Sequence, residues 1–240
     1  MTTPDLSVAI DGGIARIDLG RPEEGNALNM AQVEHLAALL RQCGADAAIN
    51  VLAIAPSGVQ FCRGRDTKGE VRAGLSAWET RERIMGRILD LYQALADVPV
   101  PVVACVQGDA IGLGCALAAG CDITLACESA RFSLPEIEAN VPPTLAMSGL
   151  LHKIAPKTLA YLVYSAEALD ASAAVSIGLA SKVLPAADFS ATCDTFLAKL
   201  AARPRLTLAT VKRYQAYASS ASPAMAAEYA GSLLALVRSK

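Results

Sequence analysis

An α/β core followed by helical C-terminal elements is the fold class this sequence predicts, on three observations. Two short apolar runs, Val51-Leu52-Ala53-Ile54-Ala55 and Val102-Val103-Ala104-Cys105-Val106, have the length and continuity of strands buried on both faces. Each is followed by a Gly-containing loop and then by a helical stretch. From about Thr144 onward the pattern is almost wholly helical, with breaks at Pro156, Pro185, Pro204 and Pro223. Repeated strand-loop-helix units ending in a helical tail belong to a layered α/β architecture. The chain has 240 residues, 53% hydrophobic and 18% charged, which suffices for one large domain or a domain with a small appendage.

The elements follow in order. Ser7–Ile10 alternates apolar and polar residues, turns at Asp11-Gly12-Gly13, and alternates again over Ile14–Leu19, a hairpin signal. Asn29 is placed to cap a helix over Ala31–Gln42, with Val33, Leu36 and Leu40 on one face. After the first apolar run, Pro56, Ser57 and Gly58 close the strand and a polar loop covers Phe61–Gly69. A helix is expected over Ala77–Ala96, ended before Pro99 and Pro101. Gly108–Gly114 forms the second loop, Leu117–Gly120 a short helix and Asp122–Cys127 another strand. Residues 1–185 are expected to form the α/β core and 186–240 a helical C-terminal region.

Composition excludes several function classes. A net charge of −2 offers no electrostatic footprint for nucleic acid or an anionic membrane. No apolar stretch is long enough to span a bilayer, and the opening MTTPDLSVAIDGG lacks a basic region followed by an apolar run. None of the seven cysteines forms a C-x-x-C pair. Cys115, Cys121 and Cys127 recur in an apolar region and suit core packing, so a cytoplasmic, reducing location is expected. With only two histidines, His35 and His152, no histidine-rich metal site is expected and a serine-histidine triad is poorly supplied.

The chemistry lies in the two loops, Phe61-Cys62-Arg63-Gly64-Arg65-Asp66-Thr67-Lys68 and Gly108-Asp109-Ala110-Ile111-Gly112-Leu113-Gly114-Cys115. Glycine there lets main-chain N–H groups approach a ligand closely. A dinucleotide loop fails on spacing, because G-x-G-x-x-G starting at Gly112 needs glycine where Leu117 stands, and no Walker-type phosphate loop occurs. The succession FCRGRD, PVVACVQGDAIGLGCALAAGCDI and ARFSLPEI, with RPEEGNALN upstream and SAEALDASAAVSIGLASKVLP downstream, resembles the ordered signature blocks of the crotonase (enoyl-CoA hydratase/isomerase) superfamily over essentially the whole chain.

That resemblance implies a core of ββα repeats, a helical C-terminal trimerisation region, and a homotrimer or dimer of trimers. It implies an acyl-CoA substrate, with coenzyme A entering as part of the thioester and no separate cofactor or metal. It also implies an oxyanion hole of two main-chain N–H groups, which by position belong to Arg65 and Leu113, where the family usually carries alanine and glycine. Gly64 and Gly112 precede these two donors. Asp66, Thr67 and Lys68 extend the first loop along the thioester and its pantetheine arm, and Ala27 and Leu28 match the segment lining the nucleotide end.

Family hydratases divide their work between two glutamates. Here Ala116 stands in place of the first, while Glu136 in Leu134-Pro135-Glu136-Ile137 retains the second. Hydration needs a held water and a proton delivered to carbon, which suits two carboxylates. Shifting a double bond from the 3- to the 2-position needs one base to move one proton from C2 to C4, as family isomerases do with the glutamate of this block. The favoured expectation is therefore an enoyl-CoA isomerase with Glu136 as its catalytic base. Asp109, whose plainer role is to cap loop amides, and Glu138 stand as auxiliary acids. An enoyl-CoA hydratase, including one for an unusual dienoyl or cyclic acyl-CoA, an acyl-thioester decarboxylase and a catalytically decayed acyl-CoA binding or assembly subunit remain as alternatives. His152 reads as structural, inside a helical stretch over Leu150–Ile154. After Glu136, Ala139–Ala146 replaces the family's glycine-rich loop and is expected to reshape the acyl pocket.

Overall fold

The computed structural model describes residues 6–70 and 74–239, so the opening five residues of the N-terminal reading lie outside it. Strands β1 (Ser7–Asp11) and β2 (Ile14–Asp18) form the expected hairpin, turned by Gly12 and Gly13, both at positive φ. Helix α1 (Met30–Ala45) is fixed by a capping box. The Asn29 side chain accepts from the Gln32 N–H at 3.0 Å, and the Gln32 side chain accepts from the Asn29 N–H at 3.0 Å. Strand β3 (Val51–Ile54) follows, then α2 (Ala77–Thr80), a π-type turn over Arg81–Met85, and α3 (Gly86–Asp97). The expected single helix over Ala77–Ala96 is thus helical throughout but widened by one turn, a local irregularity that apolar spacing alone does not reveal.

Next come β4 (Val102–Val106), β5 (Ala110–Ile111), α4 (Leu113–Gly120), β6 (Ile123–Cys127), β7 (Arg131–Ser133) and a 3-10 turn over Pro135–Ala139. Helix α4 starts four residues earlier than expected, at the second loop itself. Beyond it lie α5 (Thr144–Leu150), α6 (Pro156–Ser165), β8 (Leu169–Asp170), α7 (Ala171–Ser176), β9 (Lys182–Leu184), α8 (Phe189–Ala201), α9 (Arg205–Ala218) and α10 (Pro223–Arg238). The tail is therefore not wholly helical. Strand β9 completes the main sheet, whose order is β1-β2-β3-β4-β6-β9, parallel except for the opening hairpin. Strands β5, β7 and β8 make a second, small sheet.

The main sheet is covered on both faces, which is why β3 and β4 read as unbroken apolar runs. Alternate residues Leu52, Ile54, Val102 and Ala104 face the larger core with α1, α3 and α4. Val51, Ala53, Val103 and Cys105 face a second core with Cys193, Leu197 and Ala201 of α8 and Leu208 of α9. Among the described residues beyond 186, the helices α8, α9 and α10 follow one another with short turns between them, and α8 is part of the packing of the sheet rather than an appendage.

Polar clamps hold α9 down. Lys212 pairs with Asp122 at 2.7 Å and donates to the Leu95 and Val100 carbonyls, while Arg205 donates to the Gly44 carbonyl at 2.7 Å. On α9 and α10, Leu206, Val211, Met225, Leu234 and Leu236 are exposed.

Candidate active site

The strands β3 and β4 deliver the two loops to one end of the sheet, where their main chains cross. The Phe61 and Cys62 N–H groups donate to the Asp109 carbonyl at 3.2 and 3.0 Å, and the Ile111 N–H donates to the Cys62 carbonyl at 2.9 Å. Glycine is required where they touch. A Cβ at Gly108 would stand 1.9 Å from the Val59 oxygen, one at Gly114 2.0 Å from the Cys62 oxygen, and one at Gly64 2.9 Å from the Ile111 oxygen. Behind the crossing, buried Asn26 donates to the Ser57 and Gln60 carbonyls, and Gln107 donates to the Pro56 and Gln60 carbonyls.

Most amides at this crossing are spent within the protein. The Asp66 N–H donates to the Leu28 carbonyl and the Gly112 N–H to the Ser133 carbonyl, each at 2.9 Å. The N–H groups of Arg65 and Leu113 donate to nothing among the described residues. Leu113 opens α4 after Gly112, which has φ +54 and offers no capping side chain. Its nitrogen lies 3.7 Å from where a Cβ on Gly64 would stand, beside Arg65. The Arg65 side chain turns to Glu70 at 2.7 Å, with its Nε buried and unpartnered.

Glu136 reaches the same crossing from the other side. Its Oε1 lies 2.6 Å from where a Cβ on Gly112 would stand, so the bare glycine makes the room its carboxylate occupies. Its Oε2 is buried without a hydrogen-bond partner. Burial pushes its pKa above the ordinary carboxylate value, offset in part by a main-chain hydrogen bond. A carboxylate held this way is a stronger base than one in water.

The remaining sequence candidates divide. Ala27 and Leu28 lie along the first loop, the Leu28 N–H donating to the Gly64 carbonyl at 2.9 Å. Asp66 accepts from the Lys68 N–H and pairs with Arg21 at 2.9 Å, interactions that hold its pKa down. Thr67 and Lys68 are exposed. The Asp109 main chain ties the loops together, accepting from loop one and donating to Gln60 Oε1 at 3.0 Å. Glu138 is exposed, two residues beyond the acid that faces Gly112. His152 is not helical: it sits past the end of α5 with φ +67, exposed. That reverses the expectation of a helical stretch over Leu150–Ile154, because α5 ends at Leu150.

Three residues escaped the sequence reading. Arg21 links the first loop to α1 through Asp66, the Ala27 carbonyl and Gln32. Asn26 is fully buried at φ 55, a placement its G-N dipeptide hints at. Tyr92 on α3 carries a buried hydroxyl with no partner, its pKa raised by burial and by the neighbouring Cys115, Glu136 and Cys62. No sequence signal separates it from a core aromatic. Ala116 is fully buried, with α5 laid over it: a Cβ on Gly149 would stand 3.2 Å from the Ala116 Cβ. Among the described residues no group of three or more His, Cys, Asp or Glu side chains is arranged to hold a metal, and no helix is long and apolar enough to cross a membrane.

Comparison with known proteins agrees with this architecture. Residues 9–233 match the sequence profile described as enoyl-CoA hydratase/isomerase. A probable enoyl-CoA hydratase of Mycobacterium tuberculosis is 30% identical over 227 residues, covering 92% of this chain and 86% of that protein. The 2,3-dehydroadipyl-CoA hydratase of Escherichia coli is 33% identical over 184 residues, covering 75% of this chain and 69% of its own. The crystal structure of an enoyl-CoA hydratase from Mycobacterium smegmatis superposes with a TM-score of 0.91 at 28% identity, covering 98% of this chain and 91% of that one. A match over nearly the full chain, in sequence and in fold, leads to one conclusion: this chain belongs to the enoyl-CoA hydratase/isomerase family and has the crotonase fold.

Proposed function

We propose that this protein is an enoyl-CoA isomerase that moves a double bond from the 3- to the 2-position with Glu136 as its only catalytic carboxylate. The observation that carries this reading is the contrast at the second loop. Glu136 stands against Gly112 with a buried, unpartnered oxygen, while Ala116, the position of a second acid, is sealed under α5. In the reaction, Glu136 takes a proton from C2 and the electron pair moves onto the thioester carbonyl, giving a dienolate. The Arg65 and Leu113 N–H groups hold the oxyanion, each contributing about 2.7–4 kcal/mol if they act as other such donors do. Glu136 then returns the proton at C4, and the 2,3 double bond forms as the carbonyl is restored.

The test is Glu136→Gln, which keeps the shape but cannot carry the proton. Its kcat for isomerisation is expected to fall about 10²–10⁴-fold with KM little changed. Undiminished turnover by that variant would remove Glu136 from the mechanism. Hydration is the second reading, favoured by the hydratase names of the relatives. Hydration by the wild type exceeding isomerisation on the same acyl chain would promote it.

Coenzyme A thioesters are the proposed substrates, with the first loop and Ala27-Leu28 along the coenzyme. Self-association into a trimer, or a dimer of trimers, is proposed to cover the exposed apolar residues of α9 and α10, and light scattering at micromolar concentration tests it. A cytoplasmic location fits seven buried, unpaired thiols.

A further inference from the structure

A cavity of about 360 Å³ lies between the main sheet and α8, and none of its walls comes from Glu136, Arg65 or Leu113. Its origin is local. The pairing of β3 with β4 runs from Leu52–Val102 to Ile54–Ala104 and stops one residue short of Cys105. There the chain leaves β3 through Ala55 and Pro56, and proline has no N–H to continue the ladder. Cys105 is left on the cavity wall, on the sheet face that packs against Cys193, Leu197 and Ala201 of α8. Cys193 lines the same cavity. Gly58, Ser190 and Asp194, also in its walls, are exposed, so the cavity opens to solvent. A space of this size takes on the order of ten water-sized molecules.

The two thiols on this wall are hydrogen-bonded to each other, Cys105 donating to the Cys193 sulfur. Arg16, paired with Asp194 at 2.6 Å, lines the cavity beside them. Burial pushes the pKa of Cys43, Cys62, Cys115 and Cys121 up. Cys193 goes the other way: the hydrogen bond from Cys105 holds it below the ordinary thiol value, with Arg16 assisting against burial and Asp194. The same bond, with burial, makes Cys105 keep its proton. A thiol that ionises readily, on an open cavity and beside a second thiol, meets the conditions under which oxidation is captured as a disulfide.

We propose that Cys193 and Cys105 form a reversible oxidation site, in which a small peroxide entering the cavity oxidises Cys193 and Cys105 resolves it as a disulfide. With hydrogen peroxide as the oxidant, the Cys193 thiolate attacks one peroxide oxygen and the O–O bond breaks. The products are a sulfenic acid on Cys193 and a hydroxide that takes up a proton as water. The Cys105 sulfur then gives up its proton and attacks the Cys193 sulfur. The S–O bond breaks, the departing hydroxide takes that proton as a second water, and the S–S bond is made. The two thiols are oxidised and the one peroxide is reduced. The bond ties α8 to β4, the strand that carries the second glycine loop, and a dithiol reductant reverses it.

The experiment treats the intact, folded protein with hydrogen peroxide, blocks the remaining thiols under denaturing conditions and maps the peptides without reduction. Two of the seven thiols are expected to disappear together, in a single cross-linked pair containing Cys105 and Cys193, and to return with dithiothreitol. In Cys105→Ala the resolving thiol is gone, so dimedone should trap the sulfenic acid on Cys193. In Cys193→Ala, Cys105 should stay reduced and take no dimedone. Melting curves check that both variants fold, and the wild-type map decides the pairing even where they do not. Seven free thiols after peroxide would overturn the proposal, as would a disulfide between any other pair. A sulfenic acid that persists on Cys193 of the wild type would overturn it too, by showing that Cys105 does not reach it. Dimedone on Cys105 in Cys193→Ala would overturn the order of attack. No readout involves an acyl thioester, so the outcome is independent of the isomerase reading.

Discussion

The crossing of the two loops and the segment that follows Glu136 are built on opposite terms. At the crossing, Gly108 and Gly114 sit so close to the Val59 and Cys62 carbonyls that not even a methyl group fits. From Ile137 to Tyr164 the protein instead leaves a cavity of about 800 Å³, lined by residues such as Val141, Met147, Leu159 and Tyr164. Val141, Leu151, Tyr161 and Tyr164 are exposed there. The tight region holds main-chain geometry, which tolerates no change of size. The loose region holds side chains, which can be exchanged. Chemistry common to a family belongs in the first kind of region and choice of substrate in the second.

The comparison breaks most sharply at Gly114. Gly114→Ala should lower stability by about 3 kcal/mol or more, read as a fall in denaturation midpoint, because the clash is with backbone that has no slack. A variant of wild-type stability would show that the crossing is less rigid than its geometry. Ala116→Glu is the next largest. A glutamate there must displace α5, so a loss of about 1–3 kcal/mol is expected, together with no gain in hydration. Any gain in hydration would show that α5 yields, extending the loose region to α4.

Smaller in size is the effect of Glu136→Gln on stability. Burial raises the folded-state pKa of Glu136 above its unfolded value. The folded protein therefore binds more protons between those two values, and stability falls as pH rises through that window. Glu136→Gln should be more stable than wild type at neutral pH, with the advantage vanishing under acid, as paired denaturation curves will register. The same shift places the acid limb of the kcat/KM profile above the ordinary carboxylate range. Smallest is Gly231→Ala on α10, where nothing lies within 4 Å of the added methyl. Less than about 1 kcal/mol of stabilisation is expected, from helix propensity alone.

The parts of this fold legible in the sequence were those whose cause is local. The hairpin announces itself through Gly12-Gly13, and α1 through the Asn29 cap. Strands β3 and β4 do so through burial on both faces. Strand β9 was missed because its three residues pair only with β6, more than fifty positions earlier, and carry no alternation of their own. For the site, the glycine loops stood out by their places after buried strands, and Glu136 only through the resemblance of its Leu134-Pro135-Glu136-Ile137 block to the family. The seal over Ala116 did not, since it depends on Gly149 arriving from a different helix. Nor did Tyr92, whose hydroxyl is buried without a partner, a state that depends on packing from outside its own helix.

Cys62 and Cys115, one in each loop, give the crossing its own clock. Both thiols are fully buried, and burial pushes the pKa of each up to about 12. A thiol so protonated and so shielded is inert to alkylating reagents while the loops stay crossed. It reacts only in the fraction of time that the crossing parts, as amide protons exchange only from open states. The rate at which iodoacetamide consumes these two residues therefore measures how often the crossing comes undone, without a substrate or a mutation.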